Sequence, residues 1–413
     1  MVALAQDLID TIIDEVAAKR WFDRKNYGDL AACSLTARAF VAPSQRHLFR
    51  SLTLSTDNGH GNDGWPQELG AESWQVLTDS PHLGSYVRDF HLDMSTTAMS
   101  TLASLASLIP LLSGVNRLAI VCIHHYKWEK FPVGFRTALV SLFSLPSLRC
   151  VALTNYYGVP SSLIRHALVS YKEVSFRWVT IGSNEELFPC DRLGMKSLPS
   201  AAPLDHLALR YHPDRFAFHA HALLLDSGIA SSLKHIRQLE LTLPLPKSLG
   251  TLPPVSLGDL EAIALSYSDL IENLVINLGG LRDNPIVLPN LSHLCRLTLK
   301  ASVRKLYVPD SVLTAMTSLP ACTPALEVVN VLIYASFEER YDFNHQPDVD
   351  KALENLPRIK EVHFRVSCAG QGHFGSRTRR MLFIANNANL LTFSDAYGET
   401  CYSYWHPMAD FSN

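Results

Sequence analysis

One short segment gathers residue types that could hold a metal ion. Cys122-Ile123-His124-His125 places a thiol beside two imidazoles, and both are groups that zinc binds in proteins. In a strand, Cys122 and His124 would lie on the same face. A structural zinc site needs a second pair of ligands, and no such pair lies nearby in the sequence. We therefore predict no metal site.

A glycine-rich segment has the spacing of a dinucleotide-binding loop. Gly59-His60-Gly61-Asn62-Asp63-Gly64 matches G-x-G-x-x-G, but Trp65-Pro66 follows it where an apolar helix would have to begin. Asn and Asp between glycines are typical of turns. The nucleophile-elbow, H-E-x-x-H and P-loop patterns are all absent from the sequence. We therefore predict a protein without cofactor or catalytic residues, while a site assembled from distant residues stays an open alternative.

The composition narrows the class of protein. The chain has 413 residues, 47% hydrophobic and 18% charged, which indicates a folded protein. Its formal net charge of -3 does not favour a nucleic-acid binder. The eight cysteines form no C-x-x-C pair and the first residues lack a basic n-region, so we expect an intracellular protein, cytoplasmic or nuclear. Residues 94–116 carry no charge but many hydroxyls, which favours a packed helix over a membrane span.

A short apolar pattern recurs along most of the chain. Each copy reads apolar-x-x-apolar-x-apolar, and the middle residues are separated by 23 to 38 positions. The alternation predicts a short strand with one buried face in every copy. The middle apolar residues are Leu52, Phe90, Leu118, Val151, Val174, Leu207, Leu239, Leu274, Leu297, Val329, Val362 and Phe393. In the twelfth copy, Asp395 replaces the final apolar residue.

The segments between the predicted strands show helical spacing. The predicted helices are 101–112, 137–145, 160–170, 216–226, 310–319 and 350–356. Three prolines, Pro146, Pro320 and Pro357, are predicted to follow helix ends. One strand and one helix cannot bury a core alone, so neighbouring copies must stack. The sequence therefore predicts an α/β fold: an irregular solenoid over 51–413 with a curved, mostly parallel sheet.

The first fifty residues form a different unit. Apolar residues from Leu4 to Val16 recur at helical spacing, with acidic residues opposite. A second helix is predicted over 30–40 with Asp29 as its N-cap, and a third over 43–49. The sequence therefore predicts a three-helix domain at 1–50, followed by the repeats.

These two halves resemble known families. Residues 4–14, residues 29–40 with Cys33-Ser34-Leu35 and Arg38-Ala39-Phe40, and residues 46–54 are similar to the F-box of fungal proteins. The repeats resemble long, irregular leucine-rich repeats. Ala5 stands where the F-box family has Pro, and Thr36 and Ala37 stand where it has Val and Ser. The repeats lack the polar ladder that often follows leucine-rich strands, with Tyr156 and Val179 among the replacements.

The resemblance implies a role and partners. An F-box docks a Skp-type adaptor of a cullin ubiquitin ligase core, and the repeats hold a target protein for ubiquitylation. The implied adaptor-binding positions are Leu4, Leu8, Ile12, Leu30, Cys33, Leu35, Arg38 and Phe40. The alternative is an interaction scaffold whose F-box-like unit no longer docks an adaptor. Nucleic acid and membrane are not expected as partners.

A target would bind the concave strand face that the resemblance implies. Candidate positions lie between the buried residues of the strands, and their mixed charge is typical of a polar protein-binding surface. They are Arg117, His206, Glu240, Arg296, Asn330 and His363. The simpler interpretation, which stays open, is that each is a solvated outward residue.

Overall fold

The structure is a computed structural model of the chain. It describes residues 5–18, 24–55, 71–94, 99–122, 127–182, 203–210, 229, 232–242, 270–278, 288–303, 310–335, 351–352, 355–368 and 391–395. The glycine-rich segment 59–64, the two histidines of the segment Cys122 to His125 and the predicted helix 216–226 lie outside these residues, as does Leu4.

Helices and parallel strands make up the described residues. Helices α1 to α8 are Gln6–Ala18, Arg24–Thr36, Arg38–Leu48, Ala71–Asp79, Met99–Leu108, Val133–Phe143, Ser161–Ser170 and Asp310–Cys322. Short 3-10 helices are Pro81–Tyr86, Ile109–Leu111 and Trp128–Lys130. Strands β1 to β12 are Ser51–Ser55, Asp89–Asp93, Arg117–Val121, Cys150–Thr154, Glu173–Arg177, His206–Arg210, Gln238–Thr242, Asn273–Asn277, Arg296–Val303, Val328–Ala335, Glu361–Cys368 and Leu391–Asp395.

The chain divides into two compact units. The first comprises Met1–Ala167 and Ile181–Ser200, and the second comprises Leu168–Thr180 and Ala201–Asn413. In the first unit β1 to β4 pair in parallel in chain order. In the second unit β5 to β12 do the same. The predicted α/β class with a parallel sheet is confirmed, while the domain boundary at residue 50 stays a prediction.

Alternation within the strands explains where the core lies. The second and fourth residues of β1 to β10 are buried, as Leu52 and Leu54 are in β1 and Phe90 and Leu92 are in β2. Each buried leucine or phenylalanine contributes about 1.5–3 kcal/mol. The twelve predicted strands are confirmed. The weak twelfth copy also forms a strand, because its backbone pairs with β11 whether or not its last residue is apolar.

Helices of the first unit pack their apolar residues into the same core. Leu105 of α5 and Phe135 and Leu139 of α6 are buried, and α5 packs against α6. The predicted helix 101–112 is present as α5 followed by a 3-10 turn. In the part of the chain that the structure describes, no helix has both the length and the hydropathy to cross a membrane.

Two helix boundaries in the first fifty residues differ from the prediction. Asp29 lies inside α2 rather than at its N-cap, and α3 begins at Arg38 and contains Pro43. A proline inside a helix leaves the carbonyl four residues earlier without its backbone donor. Here that carbonyl belongs to Ala39, and the Gln6 side-chain amide of α1 donates to it at 3.4 Å. A contact from another helix therefore compensates for Pro43, which local sequence rules do not reveal.

The predicted end of α8 was also wrong. The helix runs to Cys322 with Pro320 inside its last turn. Leu319 and Cys322 are both buried, so packing on either side of the proline keeps this turn in place. Tertiary packing outweighs the local preference for a helix to end before proline.

A close contact between two turns joins consecutive copies in the first unit. Arg88 Nη1 donates to the carbonyls of Ser85 at 2.9 Å and Gly114 at 2.8 Å. A Cβ on Gly114 would lie 2.6 Å from the Ser85 carbonyl oxygen and would clash with Arg88 Nη1. The glycine is therefore required by the close approach of the backbone.

We expect Gly114→Ala to lower the free energy of unfolding by about 2–3 kcal/mol, because the added methyl forces the Arg88 contact apart. Urea unfolding at constant pH measures this. The matched control is Gly134→Ala on α6, where the nearest atom to the new Cβ lies 3.9 Å away. That change should be neutral or stabilise by up to about 1 kcal/mol, since alanine favours a helix. Equal effects of the two changes would contradict the proposed role of the close contact.

Candidate interaction sites

Polar contacts hold the N-terminal helix α1 against α3. Asp14 bonds to the His47 ring at 2.7 Å, and Asp10 lies 3.9 Å from Arg46. Gln6 donates to Asp10 at 2.7 Å, which fixes the same face of the helix. Residues 6, 10 and 14 lie one above another at helical spacing. This stripe of α1 therefore sets the angle at which the helix meets its neighbour.

The apolar face of α1 is wider than the face that the three helices bury. Ile9 and Ile13 are buried, whereas Leu8 is 48% exposed and Ile12 is 39% exposed. These two lie beside the buried stripe, on the side away from Asp10 and Asp14. On α2, Leu35 is 86% exposed. Large exposed aliphatic side chains on a small helical unit are typical of an interaction surface.

The structure separates the predicted adaptor-binding residues into two groups. Leu8, Ile12, Leu35 and Arg38 are exposed. Leu30 is buried, and Cys33 and Phe40 are half-buried. Leu30 therefore packs in the helical core, and only the exposed group is fully accessible to a partner. The remaining predicted residue, Leu4, lies outside the described residues.

The predicted target-binding residues share a face within their strands. Positions in each strand are numbered from its first paired residue. The first position holds Arg117, His206 and Arg296 in their strands. The third position holds Glu240, Asn330 and His363. Odd positions lie on the face opposite to the buried second and fourth positions. Arg117 belongs to the first unit and the other five belong to the second.

Contacts across this face involve residues that the sequence analysis did not select. Lys300 Nζ lies 3.8 Å from Glu240 Oε1, and Asn330 Nδ2 donates to Thr298 Oγ1 at 3.2 Å. His363 Nε2 lies 3.0 Å from Glu361 Oε2. Thr298, Lys300 and Glu361 are themselves at odd positions, so strict alternation could have found them.

Glu240 differs from the other candidates because it is buried, with 7% exposure. A buried carboxylate is costly unless a cation lies close to it, and the Lys300 ammonium supplies that charge. The exposed candidate is Arg296, and Arg117, His206, Asn330 and His363 are half-buried. The ion pair therefore organises the face, and the exposed and half-buried residues remain accessible to a partner.

Burial makes the Cys122 thiol a weak nucleophile and a weak metal ligand. Desolvation raises the pKa of the Cys122 thiol well above its ordinary value. Desolvation likewise raises the pKa of the Tyr156 hydroxyl. A protonated thiol is a poor nucleophile and a poor metal ligand. Within the described residues, no three His, Cys, Asp or Glu side chains are grouped so that they could hold a metal ion.

Comparison with known proteins adds no family assignment. No protein-family model matches the chain, and no curated protein is significantly similar to it in sequence.

We expect Lys300→Met to lower the free energy of unfolding by about 2–4 kcal/mol, because it removes a positive charge that lies 3.8 Å from the buried Glu240 carboxylate. Chemical denaturation measures the loss. Adding Glu240→Gln to the same chain should recover most of it, since the buried charge is then gone. Additive losses in the double variant would contradict the pairing.

We expect Asp89→Asn to stabilise the protein slightly at pH 7, by less than about 1 kcal/mol. Desolvation raises the pKa of Asp89 above 3.8, against the opposing charges of Arg50 and Arg117. A carboxyl whose pKa is raised on folding binds its proton more tightly in the native state. The wild-type chain should therefore gain stability from this group as the pH falls towards 4, and the variant should lose this gain.

Thermal unfolding from pH 7 down to pH 4 tests this, with Asp79→Asn as the matched control at an exposed aspartate. A large loss of stability in Asp89→Asn at pH 7 would show that its ion pairs outweigh its desolvation.

Proposed function

We propose that this protein is the substrate-recognition subunit of a Skp, cullin and F-box ubiquitin ligase. In this proposal α1 to α3 act as an F-box that docks a Skp-type adaptor. The parallel strands act as leucine-rich-repeat-like copies of a curved solenoid, and their odd face binds a target protein. The protein would act without a cofactor, inside the cell, in the cytoplasm or the nucleus.

The observation that carries the proposal is the exposed apolar group on α1 and α2. Leu8, Ile12 and Leu35 are large aliphatic residues left in contact with solvent. Burying them in a complex is favourable by about 25 cal/mol for each Å² removed from water. All three coincide with positions that the F-box resemblance assigned to the adaptor interface. Their order along the chain, before a long series of parallel strands, supports the same proposal.

One observation favours the second candidate, a scaffold that has lost adaptor docking. Ala37 is the N-cap of α3 and makes no side-chain capping bond, whereas the serine of the F-box family could make one. Thr36 is exposed, and its hydroxyl donates to the Cys33 carbonyl at 2.7 Å. The junction between α2 and α3 would then be held less firmly than in an adaptor-binding F-box.

Co-purification of the full chain with the organism's own Skp-type adaptor tests the proposal. We expect the wild-type chain to bind. We expect Leu8→Asp with Ile12→Asp to weaken binding at least tenfold, because the interface would then bury two carboxylates in place of two aliphatic side chains.

The matched control is Val133→Asp on α6, at a valine that is 69% exposed. It adds the same kind of charge to an exposed helix position outside α1 to α3, and we expect it to leave binding unchanged. Circular dichroism should show that all variants remain folded. Equal binding by the wild-type chain and the Leu8 and Ile12 variant would refute the proposed interface.

A wild-type chain that fails to bind, together with gain of binding in Ala5→Pro, Thr36→Val and Ala37→Ser combined, would instead establish the scaffold. If that combined variant also fails to bind, both candidates that rest on the F-box are wrong.

A further inference from the structure

In the first unit, the residues that immediately precede the strands lie side by side in a row, because backbone hydrogen bonds join them. Arg88 N and Asp89 N both donate to the Arg50 carbonyl, at 2.8 and 3.0 Å. The Arg88 carbonyl accepts two bonds in the same way from the start of β3, and the Asn116 carbonyl accepts two from the start of β4. Residues 50, 88, 116 and 149 therefore stack at about 4.8 Å intervals, the spacing of paired strands.

This basic row (Arg50, Arg88, Asn116 and Arg149) holds three arginines and no acidic residue. Arg149 is exposed, and Arg50 has a side chain that is 47% exposed. Arg88 is held by its bonds to the Ser85 and Gly114 carbonyls, which are neutral and so leave its charge in place. Arg117, the first residue of β3, adds a further positive charge next to the row.

One carboxylate lies at the start of these strands among the described residues. Asp89 is the first residue of β2, and its Oδ2 lies 3.9 Å from Arg50 Nε. It also lies close enough to Arg117 to feel its charge. The row itself still contains three arginines and no carboxylate.

In the second unit, the residues that precede the strands carry both positive and negative charges, which pair with one another. There the row is Lys172, Asp205, Arg237, Glu272, Cys295, Glu327 and Lys360. Lys172 lies 3.8 Å from Asp205, Arg237 lies 3.9 Å from Glu272, and Lys360 lies 2.9 Å from Glu327. Identical backbone geometry thus carries paired charges in one unit and an excess of arginine in the other.

We propose that the basic row binds an acidic, extended segment of a partner protein. The segment's carboxylates pair with Arg149 and Arg50, and the fixed Arg88 contributes positive charge between them. The row is about 14 Å long, three strand spacings, which about four extended residues span. Arginine's planar fork matches a carboxylate. The row shares no residue with the exposed apolar group of α1 and α2, so the inference does not depend on the adaptor proposal.

A short acidic peptide is favoured over nucleic acid by the rest of the chain. The formal net charge is -3, so a long polyanion that leaves the row meets a negative protein. A segment of a few acidic residues is confined to the row and avoids this repulsion.

Fluorescence anisotropy of the full chain with a labelled peptide of alternating Glu and Ser tests the proposal, with a Gln and Ser peptide as the neutral probe. We expect selective binding of the acidic peptide that weakens with added salt. We expect Arg149→Gln to weaken it about threefold to fivefold, the effect of losing one exposed charge contact. Arg50→Gln combined with Arg149→Gln should weaken it at least tenfold.

The matched control is Arg237→Gln, which removes the same charge at the same position of the second unit. Its side chain is 62% exposed and lies near Asp205 and Glu272. We expect this variant to bind like the wild-type chain. An equal loss in Arg237→Gln and Arg149→Gln, equal binding of the acidic and neutral peptides, or tighter binding of a single-stranded oligonucleotide of equal charge would overturn the proposal.

Discussion

The doubly accepting carbonyl before each strand is the constraint on which the rest of the fold depends. Each described strand pairs over five to eight residues, too few to be stable alone. In most described copies the carbonyl before one strand accepts N–H groups from two residues at the start of the next, as Asp205 does for Arg237 and Gln238. This pair of bonds fixes the parallel register within each unit. Once the register is fixed, apolar second and fourth residues stack into one core, and odd residues share the other face.

The strand register also determines which charged side chains lie close together on each face. Glu240 and Lys300 are 60 positions apart in sequence, yet the pairing of β7, β8 and β9 places them 3.8 Å apart. The same stacking turns the residue before each strand into a row. In the second unit that row contains three basic and three acidic residues that form ion pairs, whereas in the first unit it contains three arginines and no carboxylate. Surface ion pairs of this kind contribute less than about 1 kcal/mol each, so their main effect is to determine which surface is left charged for a partner.

In the N-terminal helices, polar contacts lie on one side of α1 and exposed apolar residues lie on the other. Asp10 and Asp14 reach Arg46 and His47 of α3, and Gln6 supplies the donor that Pro43 removes. Ile9 and Ile13 lie between these contacts and Leu8 and Ile12 on the helix surface, and they enter the core. Leu8 and Ile12 remain in solvent, on the side of α1 that neither the core nor the polar contacts use.

The sequence by itself determined the strands and the α/β class, because a buried face every second residue is a local property that needs no partner to be recognised. It also indicated the three N-terminal helices and the side of each strand that is not buried. Only the tertiary structure decided which apolar helix residues stay exposed, how α3 and α8 contain their prolines, and which charges meet. These depend on residues far apart in sequence, such as Arg88 and Gly114, whose contact exists only after neighbouring strands have paired. Local patterns carry no information on such distances, since pairing register is set by backbone bonds between copies.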